Sequence, residues 1–422
     1  MSIFPGPSER TDPAGFFRKM RKTTPLAYDA QADLWAVYCY DDVKRVLLDY
    51  ATFSSEFSRL PNSRFAQTNR SRGASLLATD PPLHTQLRSL VSKAFTPRAV
   101  ANLEPRIVRL VDDLLDDVIE TGRLDLIDDL AYPLPVIVIA EMLGVPSSDR
   151  AQFKRWSDQV VAGSDMLLGD PASGDKRPGR SGASHPDGRA IAPPKSDEPL
   201  NNALDEMQDY FRAIIAQRRS NPRDDLISNL IAAEVDGQRL NEADLLAFCT
   251  VLLIAGNITT TNLLGNGIEC FLDHPNQWAA VRQDTRLIPS AIEEVLRFQS
   301  PVQATSRITT EAVEIAGGTI PANQRVISWI SSANRDESKF SEPDSFEVRR
   351  QPNNHVAFGF GIHYCLGAPL ARLEARVALE AIRTRLVDLE RTDAQPLELN
   401  KGFILRGYRH LPLRFRPDER AA

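Results

Sequence analysis

The sequence of 422 residues predicts an α+β fold that is mainly α with small, segregated β-sheets. Apolar residues recur with the helical period over most of 99–165 and of 200–298. Residues 26–40 alternate loosely around a turn, and 301–332 form short runs broken by turn residues, which is typical of strands. Because 42% of the residues are hydrophobic, we expect a large core. No internal repeat is evident, and by length alone the chain could form two or three domains.

The N-terminal part begins with a predicted hairpin at 26–40, in which D-A-Q-A-D supplies the turn. Asp41 or Asp42 is the expected N-cap of a helix that runs through Tyr50. A polar segment without a clear period follows and ends at D-P-P. A helix from Leu83 to Phe95 comes directly after these prolines, and helical periodicity then continues with breaks at proline and glycine.

The stretch 169–199 is rich in Pro, Gly, Ser and charged residues and interrupts the helical pattern. It cannot bury enough apolar surface to order itself, so composition alone favours a plain interdomain linker. The predicted helices that follow it lie at about 200–219, 224–234, 241–272, 275–283 and 287–298.

The C-terminal third mixes short strands with one further helix. Asn241 is a plausible N-cap of the long helix before it, and G-G at 317–318 is the predicted turn within the strand region. An apolar helix is predicted from Ala368 to Leu386, followed by a pair of short strands around Gly402 and Gly407.

Charge and cysteine usage narrow the class of protein. The net charge of −6 and the pI near 5.7 do not suggest nucleic-acid binding. The four cysteines show no C-x-x-C spacing, which suits a reducing cytosol better than a disulfide framework. The N-terminus has no signal-peptide pattern, and the apolar run Leu245 to Gly256 is about half of the ~20 residues that a membrane span requires. We therefore expect a cytoplasmic protein that does not enter a membrane.

The most informative segment is F-G-F-G-I-H-Y-C-L-G, residues 358–367, which places Cys365 in a glycine-rich loop before an apolar helix. N–H groups of the loop and the positive end of the helix dipole favour a thiolate at this position. Such a thiolate can be a haem-iron ligand. The alternative is a buried, inert cysteine, but the glycines, Phe358 and His363 fit a cofactor loop better.

This segment resembles the cysteine loop of the cytochrome P-450 haem-thiolate monooxygenases, F-x-x-G-x-x-x-C-x-G, at Phe358, Gly361, Cys365 and Gly367. The resemblance implies the cytochrome P-450 fold, with heme b (iron protoporphyrin IX) held between a long distal helix and the cysteine-loop helix. Cys365 would bind the iron. The chain resembles the soluble bacterial type. The resemblance implies that 1–422 is a single cytochrome P-450 domain, in which 169–199 is a disordered lid insertion rather than an interdomain linker.

The sequence A-G-N-I-T-T in the long apolar helix resembles the oxygen-binding segment of the same family. The resemblance implies that Gly256 leaves space for O2 and that Thr259 is the alcohol that guides protons. The family usually has an acid before this threonine, whereas this chain has Ile258, which cannot relay a proton. Asn257, Thr259 and Thr260 are therefore the candidates for positioning water. Bonding of the threonines to carbonyls one turn earlier is the alternative explanation.

Further residues match the haem pocket. His84 and Arg88 share one helix face at i, i+4, and with Arg307 and His363 they match the positions that contact haem propionates in the family. Arginine suits a carboxylate because its donors form a planar fork. Individually, each of these residues is as easily explained as a surface cation.

The motif E-x-x-R places Glu294 and Arg297 at i, i+3 on one helix. In the family this pair joins a later arginine in a structural cluster behind the cysteine loop. Arg350 matches that arginine best, although Arg349 is beside it. These residues are assigned to folding and haem retention.

The substrate contacts that the resemblance implies are apolar, and ordinary core packing would explain the same residues. An apolar cavity with few polar anchors suits lipid-like or terpenoid molecules. The proposed contacts are Leu252, Ala255, Val302, Ala304, Phe403 and Ile404.

The resemblance implies a monooxygenase that hydroxylates or epoxidises an apolar small molecule with O2. Electrons would pass from NAD(P)H through a ferredoxin reductase and a ferredoxin, and we expect a monomer. One alternative is the nitric-oxide reductase type of the same family, which also has a non-acid before the threonine. Another is a non-catalytic haem protein that binds a ligand. The sequence leaves both open.

Overall fold

The computed structural model describes residues 2–60, 73–149, 198–392, 397–400 and 402–418, with six further positions between 151 and 159. The predicted insertion at 169–199 lies outside the described residues except for its last two positions.

Helices form most of the described chain, about 53% of the structure, and the sheets are small and separate, which confirms the predicted α+β class. The α-helices are Ala14–Thr23, Tyr40–Leu48, Leu83–Ala94, Pro97–Ala101, Glu104–Ile119, Pro133–Met142, Glu198–Ser220, Leu226–Ala232, Glu242–Asp273, Pro275–Gln283, Ile288–Phe298, Ile330–Ala333 and Ala368–Arg385. Short 3-10 turns lie at Pro7–Glu9, Phe57–Arg59, Ser147–Asp149, Thr285–Leu287 and Gly361–His363, and a π turn at Leu126–Ala131.

The strands form three sheets, whose members are separated widely in the chain. The five-stranded sheet has the order Leu26–Asp29, Leu34–Val37, Arg325–Trp329, Ala304–Thr309 and Phe53–Ser54, and only its second and third strands pair in parallel. The three-stranded sheet has the order Arg123–Asp125, Pro412–Pro417 and Leu386–Arg391, and Val313–Ile315 pairs with Gly318–Ile320.

The long helix Glu242–Asp273, here called the central helix, is capped as predicted, because the Asn241 side chain accepts a hydrogen bond from the Asp244 N–H at 2.9 Å. It contacts Pro133–Met142 on one side and Ala368–Arg385, here called the cysteine helix, on another. By length and composition the central helix could cross a membrane, although the apolar run Leu245 to Gly256 considered in the sequence is too short to do so. Half of the most apolar part of this helix is buried inside the protein. A core helix has these same properties.

Two local predictions were wrong, and both depend on distant segments. The second helix begins at Tyr40, with Cys39 rather than Asp41 or Asp42 at the N-cap position. The Tyr40 N–H donates instead to the Asp336 carboxylate at 2.8 Å, so a residue far along the chain supplies the cap. The C-terminal strands are Leu386–Arg391 and Pro412–Pro417, whereas the region of Gly402 and Gly407 forms isolated bridges.

Candidate active site

The loop before the cysteine helix is held in a tight turn by its own backbone. The Cys365 N–H donates to the Phe358 carbonyl at 2.9 Å, and the Tyr364 N–H donates to the Gly361 carbonyl at 3.1 Å. Gly361 has a φ of 71°, and a Cβ there would lie 3.0 Å from the Leu47 carbonyl oxygen. A side chain at this position would therefore be strained and would press against the neighbouring helix.

The Cys365 sulfur sits at the N-terminal end of the cysteine helix, as the sequence predicts. Burial raises the pKa of the thiol, but the N–H groups of Gly367 and Ala368 and the charges of Arg88 and Arg372 act in the opposite direction. The loop, the cysteine helix and the helix Leu83–Ala94 therefore supply four positive or donor groups to a sulfur that is otherwise desolvated, an environment suited to a metal-bound thiolate.

The central helix packs on the cysteine helix, and its segment Ala255–Thr260 takes part through the hydrogen bond between Thr260 and Glu374. A Cβ on Gly256 would lie 2.6 Å from the Ile139 Cδ1, so this glycine permits the central helix to approach Pro133–Met142 closely. The sequence offered only space for a ligand as the reason for Gly256, and helix packing is a sufficient reason in this structure.

The polar residues of this segment point in different directions. The Thr259 hydroxyl donates to the Ala255 carbonyl at 2.7 Å, one turn earlier, as the alternative explanation anticipated. Thr260 is buried and hydrogen-bonds the Glu374 side chain, while Asn257 is fully buried. Thr259 is thus the hydroxyl of the pair that lies on the less buried side of the helix.

Ile258 occupies the position where an acid is usual in the family, and it is 6% exposed. It belongs to a buried apolar cluster that includes Ala304, Ile404 and the N-terminal residue Ile3. A carboxylate at this position would have to leave water without a charged partner in that cluster, so the isoleucine and its surroundings are mutually consistent.

Glu374 was not singled out from the sequence. It lies on the cysteine helix, is 1% exposed, and its Oε1 atom has no hydrogen-bond partner among the described residues. Burial raises its pKa to about 8, and the hydrogen bond with Thr260 opposes this rise only in part. The signal that could have found it is its position between Leu370 and Val377 on the apolar face of the helix.

Four residues that the sequence grouped by resemblance, namely His84, Arg88, Arg307 and His363, lie together in the structure. The rings of His84 and His363 are 4.3 Å apart, and Arg307 and Arg88 influence both histidines electrostatically. Burial, together with these neighbouring positive charges, lowers the pKa of His363 to about 3. Burial also lowers the pKa of Arg307 to about 10, although Asp80 opposes this shift.

This cluster fits the carboxylates of a haem. The His84 Nε2 atom is buried and has no hydrogen-bond partner among the described residues, and Asp80 is the acid that acts on Arg307. Asp80 is itself engaged by the Ser55 N–H at 3.0 Å and by the Ser54 hydroxyl. Among the described residues, the cluster thus holds two arginine cations and one carboxylate that is already hydrogen-bonded, and two propionates would supply further negative charge.

The E-x-x-R residues form a buried network with Arg350. Arg297 and Glu294 are fully buried and joined by two hydrogen bonds of 2.8 Å. The Arg350 Nε donates to both Glu294 oxygens at 3.1 and 3.2 Å, whereas Arg349 is exposed. The structure therefore brings Arg350, and not Arg349, to this pair.

The candidate substrate residues fall into two groups. Leu252 and Ala255 lie on the less buried face of the central helix. Ala304 and Ile404 are buried in the same apolar cluster as Ile258, and Val302 and Phe403 pack against that cluster. The ring of Phe403 is 4.9 Å from that of Phe4, with Arg10 above it at 4.8 Å. The N-terminal segment therefore fixes one wall of this region.

Comparisons with known proteins identify the family and the fold of this chain. The family model described as Cytochrome P450 matches residues 11–406. The chain is 40% identical over 413 residues to the erythromycin C-12 hydroxylase of Saccharopolyspora erythraea, covering 97% of this chain and 96% of that protein. It is 38% identical to the cyclomarin C epoxidase CymV of Salinispora arenicola, covering 95% of each chain. The crystal structure of CYP109E1 from Bacillus megaterium, in complex with testosterone, superposes with a TM-score of 0.82 at 37% identity and covers 96% of this chain and 99% of that one.

Proposed function

The chain belongs to the cytochrome P450 family of monooxygenases, and from that premise we propose that it hydroxylates or epoxidises an apolar small molecule, with Cys365 as the ligand of haem iron. The observation that carries this proposal is the placement of the Cys365 sulfur against the N–H groups of Gly367 and Ala368, with Arg88 and Arg372 nearby. This is the environment that a thiolate ligand needs.

The residues around the loop fit heme b. His84, Arg88, Arg307 and His363 would hold its propionates. The two arginines are cations, and the buried His84 Nε2 atom has no hydrogen-bond partner among the described residues. When bound, a thiolate-ligated haem supplies the activation of O2 for insertion of one oxygen atom into the substrate. The network of Glu294, Arg297 and Arg350 would support the loop without touching the chemistry.

The chain's own residues would then control protons and water on the distal side. We assign the Thr259 hydroxyl to proton guidance, since it is the less buried of the two threonines and needs only to rotate away from the Ala255 carbonyl. Asn257 and Thr260 are assigned to fixing the helix and its water. Ile258 supplies no proton and keeps its side of the helix dry.

The substrate we propose is a largely apolar molecule of macrolide, steroid or terpenoid type. Two relatives are named for action on erythromycin and cyclomarin C, and a structural neighbour is bound to testosterone. The apolar character of the proposed contacts fits this class, because few polar groups are available to fix a small polar ligand. The residues are Leu252, Ala255, Val302, Ala304, Phe403 and Ile404.

The electron supply and setting complete the proposal. We infer that electrons come from NAD(P)H through a reductase and a ferredoxin, and that the enzyme is a cytoplasmic monomer of one domain. Bacterial relatives of this family act with O2 and redox partners, which supports the general scheme.

The experiment is a spin-state titration of purified ferric protein against macrolides, steroids, terpenoids, fatty acids and aromatic acids. A shift of the Soret band from low to high spin is expected with an apolar member of this set, followed by formation of a product with one added oxygen atom. The control is the carbon monoxide spectrum of Cys365→Ser beside Cys39→Ser, a change at a half-buried cysteine elsewhere.

Loss of the thiolate-type spectrum only in Cys365→Ser is the expected result, and its retention there would contradict the assignment of the ligand. No spin shift with any compound, combined with rapid NADH oxidation by nitric oxide without a partner protein, would favour the nitric-oxide reductase type. The non-acid Ile258 after Gly256 and Asn257 is the observation that keeps that second function open.

A further inference from the structure

Behind the cysteine loop, Arg372 of the cysteine helix is clamped by Glu293. Its Nε and Nη2 atoms donate to the two carboxylate oxygens at 2.7 and 2.8 Å. The His355 Nε2 atom lies 3.0 Å from the same carboxylate, and the His355 side chain is only 4% exposed. Although burial opposes ionisation, Arg372 and His355 lower the pKa of Glu293 to about 2. The acid is therefore charged at any working pH.

Of this pair, Arg372 is the member that reaches the loop. Its guanidinium lies 4.5 Å from the ring centre of Phe358, and its Nη1 atom is 3.4 Å from the Tyr364 hydroxyl. Both residues adjoin Cys365: Tyr364 precedes it directly in the chain, and the Phe358 carbonyl accepts the hydrogen bond of the Cys365 N–H. A fixed positive charge is thus held next to the proposed ligand.

The next arginine on the same helix provides a contrast. Arg376 pairs with Glu104 at 2.7 Å and with Glu380 at 3.3 Å, and the contacts that the structure describes for it do not include the cysteine loop. Arg372 and Arg376 thus lie on the same helix, carry the same charge and are each paired with an acid. Of the two, only Arg372 contacts Phe358 and Tyr364 in the part of the chain that the structure describes.

We propose that the Arg372–Glu293 ion pair, steadied by His355, sets the electron affinity of the haem iron bound to Cys365. The inference rests on the proposed function, because it requires that ligand. Reduction adds one negative charge to the iron–thiolate unit, which the Arg372 cation stabilises and the Glu293 anion opposes. The pair is partly buried, so salt and water screen its field less than that of a surface pair.

A purely mechanical brace is the competing explanation, and the sign of the effect separates the two. Removing the positive charge alone should make reduction harder, whereas removing the negative charge alone should make it easier. A brace predicts that both changes shift the midpoint potential in the same direction, because each one breaks the same two hydrogen bonds.

The test measures the midpoint potential of the purified holoprotein by spectroelectrochemical titration. Arg372→Gln should lower the potential, Glu293→Gln should raise it, and Arg372→Lys should restore most of the wild-type value because it retains the charge. Arg376→Gln is the matched control and should shift the potential less than either change at the pair.

Shifts of the same sign in Arg372→Gln and Glu293→Gln, or shifts no larger than that of Arg376→Gln, would overturn the inference. If Arg372→Gln retains no haem, Glu293→Gln decides alone, since a potential equal to or below that of the wild type contradicts an electrostatic role. The carbon monoxide spectrum is recorded first. A wild-type protein without the thiolate-type band would refute the proposed function, which is a different failure from an absent potential shift.

Discussion

Ile258, the residue before the distal threonine Thr259, is 6% exposed and belongs to a buried apolar cluster. The sequence indicates that the acid usual before the distal threonine is missing. It does not indicate that the position is enclosed by Ala304, Ile404 and Ile3, because these residues come from three distant parts of the chain. The structure shows that the loss of the acid is accompanied by a dry, apolar environment on that side of the central helix.

We expect Ile258→Glu to increase the yield of product per NADH, since burial would keep the new carboxylic acid protonated and able to donate. The variant should also lose about 1–3 kcal/mol of stability, because a polar group is buried without a partner. The measurements are coupling efficiency and the solvent isotope effect on turnover. Ile258→Gln is the control for size and polarity. If both variants give the same product yield and the same isotope effect as the wild type, the missing acid does not limit turnover.

Glu374 is the residue that the sequence analysis missed. An acid in an amphipathic helix is ordinarily a solvated residue, and only the packing of the cysteine helix on the central helix buries it completely. Its ordinary pKa of 4.5 rises to about 8 through burial, so the native protein holds a proton there that the unfolded chain releases.

This proton makes stability depend on pH. Between pH 4.5 and about 8 the native state binds the proton and the unfolded state does not, so the wild type should lose stability as pH rises through this window. Glu374→Gln lacks the titration, so its stability advantage over the wild type should grow across the window and level off above it. Urea unfolding at several pH values measures the difference. Glu380→Gln, at a side chain that is 43% exposed, is the control and should follow the wild type. Parallel curves for wild type and Glu374→Gln would contradict the buried proton.

At the scale of elements, the E-x-x-R helix could be placed from the sequence, but its partner could not be chosen securely. Arg349 and Arg350 are adjacent, and neither lies in a regular helix or strand. The decision depends on the path of the loop after Asn334, which turns the Arg350 guanidinium to Glu294 and to the carbonyls of Ser341, Glu342 and Ser345. Loop paths of this kind are set by long-range contacts and have no periodicity to read.

The two neighbouring arginines offer a matched test of this network. Arg350→Ala should destabilise the protein by about 3–5 kcal/mol and reduce haem retention, because it removes a buried partner of Glu294. Arg349→Ala should change stability by no more than about 0.5 kcal/mol, since its side chain is exposed. Denaturant unfolding and the ratio of haem to protein after purification measure both. Similar losses in the two variants would show that the choice of Arg350 is wrong.

The boundaries of helices and strands were predicted well where local sequence sets them and poorly where distant contacts do. Helices such as Pro275–Gln283 and Glu242–Asp273 were predicted within one residue at each end, because periodicity and local caps such as Asn241 define them. The start of the second helix was missed because Asp336 supplies its cap from a distant loop. The C-terminal strands were displaced because their pairing with Arg123–Asp125 is a long-range event.

At the scale of the whole molecule, the cationic cluster could be assembled from the sequence only through family resemblance. His84 lies on an N-terminal helix, Arg307 on a strand of the five-stranded sheet and His363 in the cysteine loop. Nothing in their local sequence brings them together. The fold brings them together near Arg88, with Asp80 as the acid that acts on Arg307 and His84. Two arginine charges are thus offset by one carboxylate among the described residues, so the cluster carries excess positive charge.

This imbalance predicts different salt responses of the haem-free and haem-bound protein. Without haem, the repulsion within the cluster should make the protein less stable, and added salt should raise its Tm by screening that repulsion. With haem, the propionates neutralise the cluster, so the Tm should be higher and less sensitive to salt. Thermal unfolding of both forms over a range of ionic strengths measures this.

In Arg307→Gln the salt response of the haem-free protein should become smaller, because one buried positive charge is gone. Exposed Arg349→Gln is the control and should respond as the wild type does. An identical salt dependence of the haem-free and haem-bound proteins would show that the cluster does not bind the two haem propionates.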